Sequence, residues 1–306
     1  MLILEGPDET GKTTLAKSLD LPYFHYDKDS TYRDYLDPLT TLNALRGVLD
    51  RSIFSEYPYS KVMARPFQFI PKHWHNITLL TLAMNPVVIL CTHKPRQDLY
   101  QKEQYLPYRK WDVCLELYRR FLTLNNIHHI EYDYSTNLKP TVFEMIESKR
   151  RVEGHWWVPM WQEGVGMIGS HNPQLLIVAQ EMGPNNVNNL PFETGPTGLM
   201  MSELLNSVRM PLGDIAITNM VKAPRGIKRP ANKRDLELFE VELINLRPKK
   251  VLFMGSVSRA GIKIAKSLKI EYCEMNHLGW FHRTGRKDYC NVFKTIIGGA
   301  KSIWDP

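Results

Sequence analysis

Leu2-Ile3-Leu4-Glu5-Gly6-Pro7-Asp8-Glu9-Thr10-Gly11-Lys12-Thr13-Thr14 reads as a short apolar strand, a loop bounded by glycines and the first turn of a helix that runs on through Leu19. The spacing Gly6-x-x-x-x-Gly11-Lys12-Thr13 is that of a nucleotide-phosphate loop, with the strand before and the helix after that the motif requires. In such a loop, successive backbone N–H groups and the helix N-terminus point at phosphate oxygens. Lys12 adds a cation at the β- and γ-phosphates, and the Thr13 hydroxyl is expected to ligate Mg²⁺. The expected ATP site is therefore Gly6, Pro7, Asp8, Glu9, Thr10, Gly11, Lys12, Thr13 and Thr14.

Strands alternate with helices through the rest of the chain. Val48-Leu49-Asp50 and Val87-Val88-Ile89-Leu90-Cys91 are compact runs of the kind found in buried parallel strands. Lys110–Leu122 has helical spacing, with Trp111, Cys114, Leu115, Tyr118, Phe121 and Leu122 on one face. After the charged stretch 148–154 a second pattern begins. Strands are expected at 175–179, 215–219 and 250–255, and helices at 198–208, 235–246 and 259–268. The chain reads as α/β throughout: two parallel-sheet domains in tandem, 1–150 and 151–306.

Composition narrows the partners. The 306 residues are 43% hydrophobic and 23% charged, which excludes global disorder. The longest apolar runs are far too short to span a bilayer, and residues 1–6 show no secretory signal, so no membrane partner is expected. Cys91, Cys114, Cys273 and Cys290 lack metal-binding or disulfide spacing and read as reduced thiols of a cytoplasmic protein. Almost all of the net charge of +7 lies in residues 151–306, and six cations fall within residues 222–234. A basic loop there, broken by Pro224 and Pro230, suits a polyanion such as DNA.

Glu5-Gly6-Pro7-Asp8-x-x-Gly11-Lys12-Thr13-Thr14 resembles the loop of the thymidylate kinases, Glu-Gly-x-Asp-x-x-Gly-Lys-Thr-Thr. Asp50-Arg51-Ser52-x-x-Ser55-Glu56-x-x-Tyr59 resembles the Asp-Arg-Ser/Tyr segment of that superfamily and of the deoxynucleoside kinases. The resemblance implies that Asp50 joins Thr13 near the metal or acceptor, that Arg51 grips the acceptor group, and that Asp8 faces the acceptor sugar or hydroxyl. Lys12, Asp8, Asp50 and Arg51 are the implied catalytic set. Lys94, Arg96, Lys102, Arg109 and Lys110 follow the 87–91 strand, where the superfamily keeps a cationic lid. The superfamily's tight arginine spacing is not reproduced; Arg96 and Arg109 are the expected lid cations. Kinases of this fold often pair, so a homodimer is possible.

Residues 174–283 resemble the uracil-DNA glycosylase superfamily. The matching stretches include Leu175-Leu-Ile-Val-Ala179-Gln180-Glu181-Met182-Gly183, Pro191-Phe192, Ile217-Thr218-Asn219-Met220-Val221-Lys222 and Asn276-His277-Leu278-Gly279. Two departures matter. Gln180 stands where the thermostable branch has an acid, and His277-Leu278-Gly279 replaces a His-Pro-Ser loop. Glycosidic cleavage needs a fixed carboxylate or positioned water and a donor to the leaving base. The second domain is therefore expected to bind a flipped base rather than excise it. Gln180, Glu181, Phe192, Asn219, Lys222, Arg225, Lys228, Arg229, His277 and Arg283 are the expected DNA and base contacts. Trp156, Trp157 and Trp161 read as packing residues rather than stacking ones.

A phosphoryl-transfer site joined to a base-recognising domain resembles the viral 5-hydroxymethyluridine DNA kinases. That resemblance implies ATP-dependent phosphorylation of a hydroxymethyl group on uracil in DNA, because a stacked base cannot otherwise reach a closed site. Two alternatives stay open on sequence alone. One is a deoxynucleoside-monophosphate kinase fused to a DNA-binding or repair domain, and the other a uracil-type glycosylase with a regulatory phosphate-loop domain.

Overall fold

The computed structural model describes residues 1–19, 21–27, 29–39, 47–100, 104–135, 167–180, 191–192, 195–208, 210–223 and 229–297. The chain divides into two compact units, Met1–Gly154 and His155–Pro306.

In the first unit β1 (Leu2–Glu5), β2 (Tyr23–His25), β3 (Val48–Asp50), β4 (Val87–Cys91) and β5 (His129–Tyr132) form one sheet in the order β2-β3-β1-β4-β5. Every pairing is parallel. Leu2 pairs with both Val48 and Val87, so β1 lies at the centre and is buried along its whole length. That explains its unbroken apolar run, because a parallel strand covered on both faces has no solvent side to alternate with. The sheet grows from β1 in both directions, through β3 on one side and β4 on the other. The crevice at the carboxyl end of β1 is thus a topological switch point, where open α/β sheets take ligands. Gly6 opens that crevice at φ 132°, and a Cβ there would overlap the Cys91 carbonyl at the end of β4.

The helix expected at 110–122 spans Trp111–Leu124, and the six residues expected to share its buried face do so. A further helix, Pro71–Ala83, is buried from Trp74 to Ala83 almost all the way round. Its lack of an apolar stripe is why its sequence carries little helical periodicity.

In the second unit β6 (Ile168–Gly169), β7 (Leu175–Ala179), β8 (Ile215–Asn219), β9 (Lys250–Met254) and β10 (Glu271–Met275) form a sheet ordered β10-β9-β7-β8-β6. Four strands are parallel, but β6 pairs antiparallel with β8, which corrects the expectation of a purely parallel sheet. Two residues are too few to show a period, so this edge was invisible in the sequence. β7 is the central strand, and all five residues of β7 and of β8 are buried. The helix Lys233–Leu246 starts on a capping box: the Asn232 side chain accepts from the Asp235 N–H, and Asp235 accepts from the Asn232 N–H. Cys91 and Cys114 are buried and all four cysteines are unpaired. No helix among the described residues is long and apolar enough to cross a membrane.

Candidate functional site

At the carboxyl end of β1 the loop turns into the helix Lys12–Lys17 through Gly11, in the left-handed region at φ 80°. Lys12 is 5% exposed. Its ammonium donates to the Gly6 carbonyl at 3.0 Å, to the Pro7 carbonyl, and to the Thr10 hydroxyl at 3.1 Å. Burial, and then the neighbouring Arg51, hold its pKa below that of an ordinary lysine. A cation this starved of solvent is primed for an anion. Beside the loop a cavity of about 460 Å³ runs along Gly11, Thr14, Leu15 and Ser18 to Tyr132 and Tyr134.

Thr13, in the helix Lys12–Lys17, and Asp50, at the end of β3, meet at the carboxyl edge of the sheet. The Thr13 hydroxyl donates to Asp50 Oδ2 at 2.6 Å, the Tyr23 hydroxyl donates to the same oxygen at 2.8 Å, and His25 Nδ1 lies 3.4 Å from it. Asp50 is 1% exposed, and its Oδ1 is buried with no hydrogen-bond partner. An orphaned carboxylate oxygen beside a hydroxyl suits a small hard cation that takes few protein ligands and keeps its waters. The two residues therefore fit Mg²⁺.

Arg51 adopts φ 73°, costly for a residue with a side chain, and its N–H is fixed to the Leu4 carbonyl at 2.9 Å. That turn swings the guanidinium over the Tyr59 ring, 4.8 Å from its centroid, and onto Asp8. Asp8 Oδ1 also accepts from the Tyr59 hydroxyl at 2.6 Å, and Oδ2 accepts from the Leu106 N–H at 2.9 Å. Burial alone would raise the Asp8 pKa, but Arg51, Tyr59 and Leu106 together hold it below the usual carboxylate value. Asp8, expected to face the acceptor sugar or hydroxyl, does line the cavity on that side, but its carboxylate is engaged by three donors and is a weak base.

A second buried acid lies beneath. Glu5 accepts from the Ser52 and Ser55 hydroxyls at 2.5 and 2.6 Å, and Tyr118 donates to Ser55 at 2.8 Å. Burial pushes the Glu5 carboxyl up to about 7. In the sequence Glu5 stands only as the first residue of the loop motif, with nothing to mark it as a buried acid.

A cavity of about 240 Å³ opens beside Asp8, Arg51 and Tyr59, walled further by Glu56, Arg65 and Tyr105. Its described charged lining comprises Arg51 and Arg65 against Asp8, Asp27 and Glu56, a formal sum of −1 with histidine neutral. Both arginines are paired. Arg51 is held by Asp8, and Arg65 donates to both Glu56 oxygens at 2.9 and 2.8 Å. Arg96 and Arg109 wall neither cavity: Arg96 pairs with Asp98 on the surface, and Arg109 is exposed.

In the second unit Gln180 follows β7, Asn219 ends β8, Gly255 follows β9 and His277 follows β10, all at the carboxyl edge of the sheet. Gly255 sits at φ 91°, and a Cβ there would strike the Gln180 amide and approach His277 Cβ to 3.0 Å. Only a glycine lets those two side chains lie together. The Phe192 ring stands 5.9 Å from the His277 ring, inclined by 21°. His277 Nδ1 accepts from the Gly279 N–H at 3.1 Å, so the neutral ring carries its proton on Nε2 as a donor. Burial, and then Arg283, push the His277 pKa down to about 4, which keeps the ring neutral near pH 7.

The basic loop departs from expectation at its first member. Lys222 is sealed in the core, donating to the Glu242 carboxylate at 2.6 Å and the Thr218 hydroxyl at 2.6 Å, both side chains having no exposure. It staples the segment after β8 to the helix Lys233–Leu246 and presents nothing to a phosphate. Arg229 is partly exposed and paired with Asp235, and Arg283 is exposed. Asn219 is 3% exposed. Glu181, Arg225 and Lys228, like Lys102 and the three tryptophans at 156, 157 and 161, lie outside the described residues.

No family model matches the chain. No curated protein matches it either. Among solved structures it is similar to the YorR protein of Bacillus subtilis, crystallised in complex with phosphorylated GDP. That similarity has 19% identity and a TM-score of 0.38, and covers 50% of this chain and 98% of that one. A likeness of that size carries no argument about activity.

Proposed function

We propose that the first unit is an ATP-dependent phosphotransferase and that its acceptor is a hydroxymethyl group on uracil held within DNA, giving 5-phosphomethyl-deoxyuridine. The phosphate loop with its buried Lys12 supports the donor half of that reading. One observation carries the acceptor half: the cavity beside Arg51 has a net negative lining, with both arginines already paired. A nucleoside monophosphate would bring a dianion into that lining. A neutral hydroxyl on a neutral ring would not be repelled.

In the reaction the acceptor hydroxyl oxygen forms a bond to the γ-phosphorus. The bond from that phosphorus to the β–γ bridging oxygen breaks, ADP leaves and the hydroxyl proton passes to water. Lys12 and the loop N–H groups hold the transferring charge, and Arg51 stands at the acceptor side. Thr13 and Asp50 would hold Mg²⁺, which would add further neutralisation of that charge. The second unit's role in this proposal is to grip an unstacked pyrimidine. Phe192 offers a ring face, Gln180 an amide for the pyrimidine edge, and neutral His277 an Nε2–H donor. Gln180, an amide, supports binding over excision, because it cannot act as a general base.

The test is incubation with ATP, Mg²⁺ and duplex DNA containing 5-hydroxymethyluracil, followed by digestion and mass spectrometry of the nucleosides. The expected product carries one phosphate on the base. Phosphorylation of free dTMP with unmodified DNA bases would replace this reading with a monophosphate kinase. Abasic sites formed without ATP would replace it with a glycosylase.

A further inference from the structure

We propose that Asp8 is the joint through which the donor loop repositions the acceptor wall, so that nucleotide binding and acceptor binding are coupled through one carboxylate. This rests on the donor half of the function proposed above. Asp8 is 3% exposed and gathers four donors from separate parts of the chain. Arg51 and Tyr59 reach Oδ1, the Leu106 N–H reaches Oδ2, and the Trp111 indole donates to the Asp8 carbonyl at 3.1 Å. The loop, the segment after β3 and the segment 104–111 therefore meet at a single residue. Gln104 adds a neighbouring tie, donating to Glu9 Oε1 at 3.1 Å.

Asp8 is also next to the part of the loop that a triphosphate must disturb. Lys12 is bonded to the carbonyls of Gly6 and Pro7 and to the Thr10 hydroxyl. When Lys12 turns to a phosphate, the buried Gly6 carbonyl loses the Lys12 donor and the Pro7 carbonyl keeps only the Thr10 hydroxyl, at 3.1 Å, a loss costly enough to make the loop rearrange. Pro7 is bonded directly to Asp8, so the shift passes to a carboxylate whose other ends are fixed by charge-assisted hydrogen bonds. It arrives at Arg51 and at Tyr59, whose ring stacks on Tyr105 with centroids 6.0 Å apart at the rim of the acceptor cavity. Asp8 is a positioning residue in this scheme, and coupling of this kind is reciprocal between the two ligands.

Hydrogen exchange on the full chain with Mg·AMPPNP, a non-hydrolysable donor analogue, tests it without any acceptor. In the wild type the analogue is expected to slow exchange in 6–14 and, by about fivefold or more, in 104–111. In Asp8→Asn the protection of 6–14 is expected to persist while the response of 104–111 disappears, and adding 5-hydroxymethyluracil DNA no longer shifts the Kd for AMPPNP as it does in the wild type. An equal response of 104–111 in Asp8→Asn overturns the proposal, as does a wild type in which only 6–14 responds. If Asp8→Asn does not fold, Tyr59→Phe decides. A clearly reduced response at 104–111 supports the joint and an unchanged one removes it. Failure of the analogue to protect 6–14 at all would instead defeat the donor reading, and this inference with it.

Discussion

The carboxyl edges of the two sheets are built on the same plan and filled with opposite chemistry. Each follows a buried central strand, β1 or β7, flanked on both sides by parallel neighbours. Each uses a glycine at positive φ to admit a close approach, Gly6 in one and Gly255 in the other. The first edge then concentrates charge: Lys12, Asp8 and Asp50 are buried and Arg51 is partly so, with Lys12 bonded to the loop, Asp50 to Thr13 and Tyr23, and Arg51 to Asp8. The second edge presents an amide, a phenyl ring and a neutral imidazole, while its buried cation, Lys222, is cancelled by Glu242 in the core. A switch point only provides a crevice. Which side chains are left unscreened there decides whether it suits a phosphate or an uncharged ring.

The sharpest way to break this contrast is Lys12→Ala. Phosphoryl transfer is expected to fall by at least about 10²–10³-fold, because the other cation described at the loop, Arg51, is already held by Asp8. DNA affinity, measured by fluorescence anisotropy, should be unaffected. If both fall together, the two edges are not chemically separate.

Next in size is the buried pair of the second unit. Lys222→Met leaves Glu242 alone in the core and is expected to cost about 3–5 kcal/mol in denaturant unfolding. Combining it with Glu242→Leu should recover most of that loss. If Lys222→Met instead lowered only the salt dependence of DNA binding, Lys222 would be a phosphate contact after all.

The pH dependences of the two units are expected to run in opposite directions. Glu5 holds its proton up to about pH 7 when folded, against an ordinary value of 4.5. Its contribution to stability is therefore full below pH 4.5 and is lost as pH rises to about 7, on the order of 3 kcal/mol at most. His277 is pushed down to about 4 from 6.5, so its contribution is present above pH 6.5 and is lost as pH falls toward 4. Unfolding curves of Glu5→Gln and His277→Gln, each subtracted from wild type, should show these opposite slopes. Slopes of one sign would mean that one of the two groups is hydrated in solution. The smallest expected effect is Arg283→Ala, which should lower the salt slope of DNA binding by about 1 if the guanidinium meets a phosphate.

Several of these residues left traces in the sequence and several left none. Tyr59 lies three residues after Glu56, one helical turn on, which puts both on one face of the helix Glu56–Met63. Glu242 falls among Phe239, Leu243 and Leu246 on the apolar face of its helix. An acid in that position calls for a buried cation, and this is the signal that separates Lys222 from the exposed Lys233 and Arg234 of its cluster. Tyr23 and His25, on a three-residue edge strand, and Tyr105, in a loop, carry no pattern of their own. They reach the site only because the sheet order brings β2 beside β3 and the 104–111 segment beside the loop.

What the sequence determined by itself is the phosphate loop with the strand and helix around it. A cradle of consecutive backbone N–H groups must be written in consecutive residues. The alternation of strand and helix followed in the same way, since burial on both faces leaves continuous apolar runs. Tertiary structure alone decided the rest. It set the antiparallel edge at β6, the pairing of Lys222 with Glu242, the saturation of Asp8 by two distant segments, and the charge of the cavity beside Arg51. Each of these is a balance of desolvation against a partner far away in the chain, and a linear order of residues does not state which partner folding will supply.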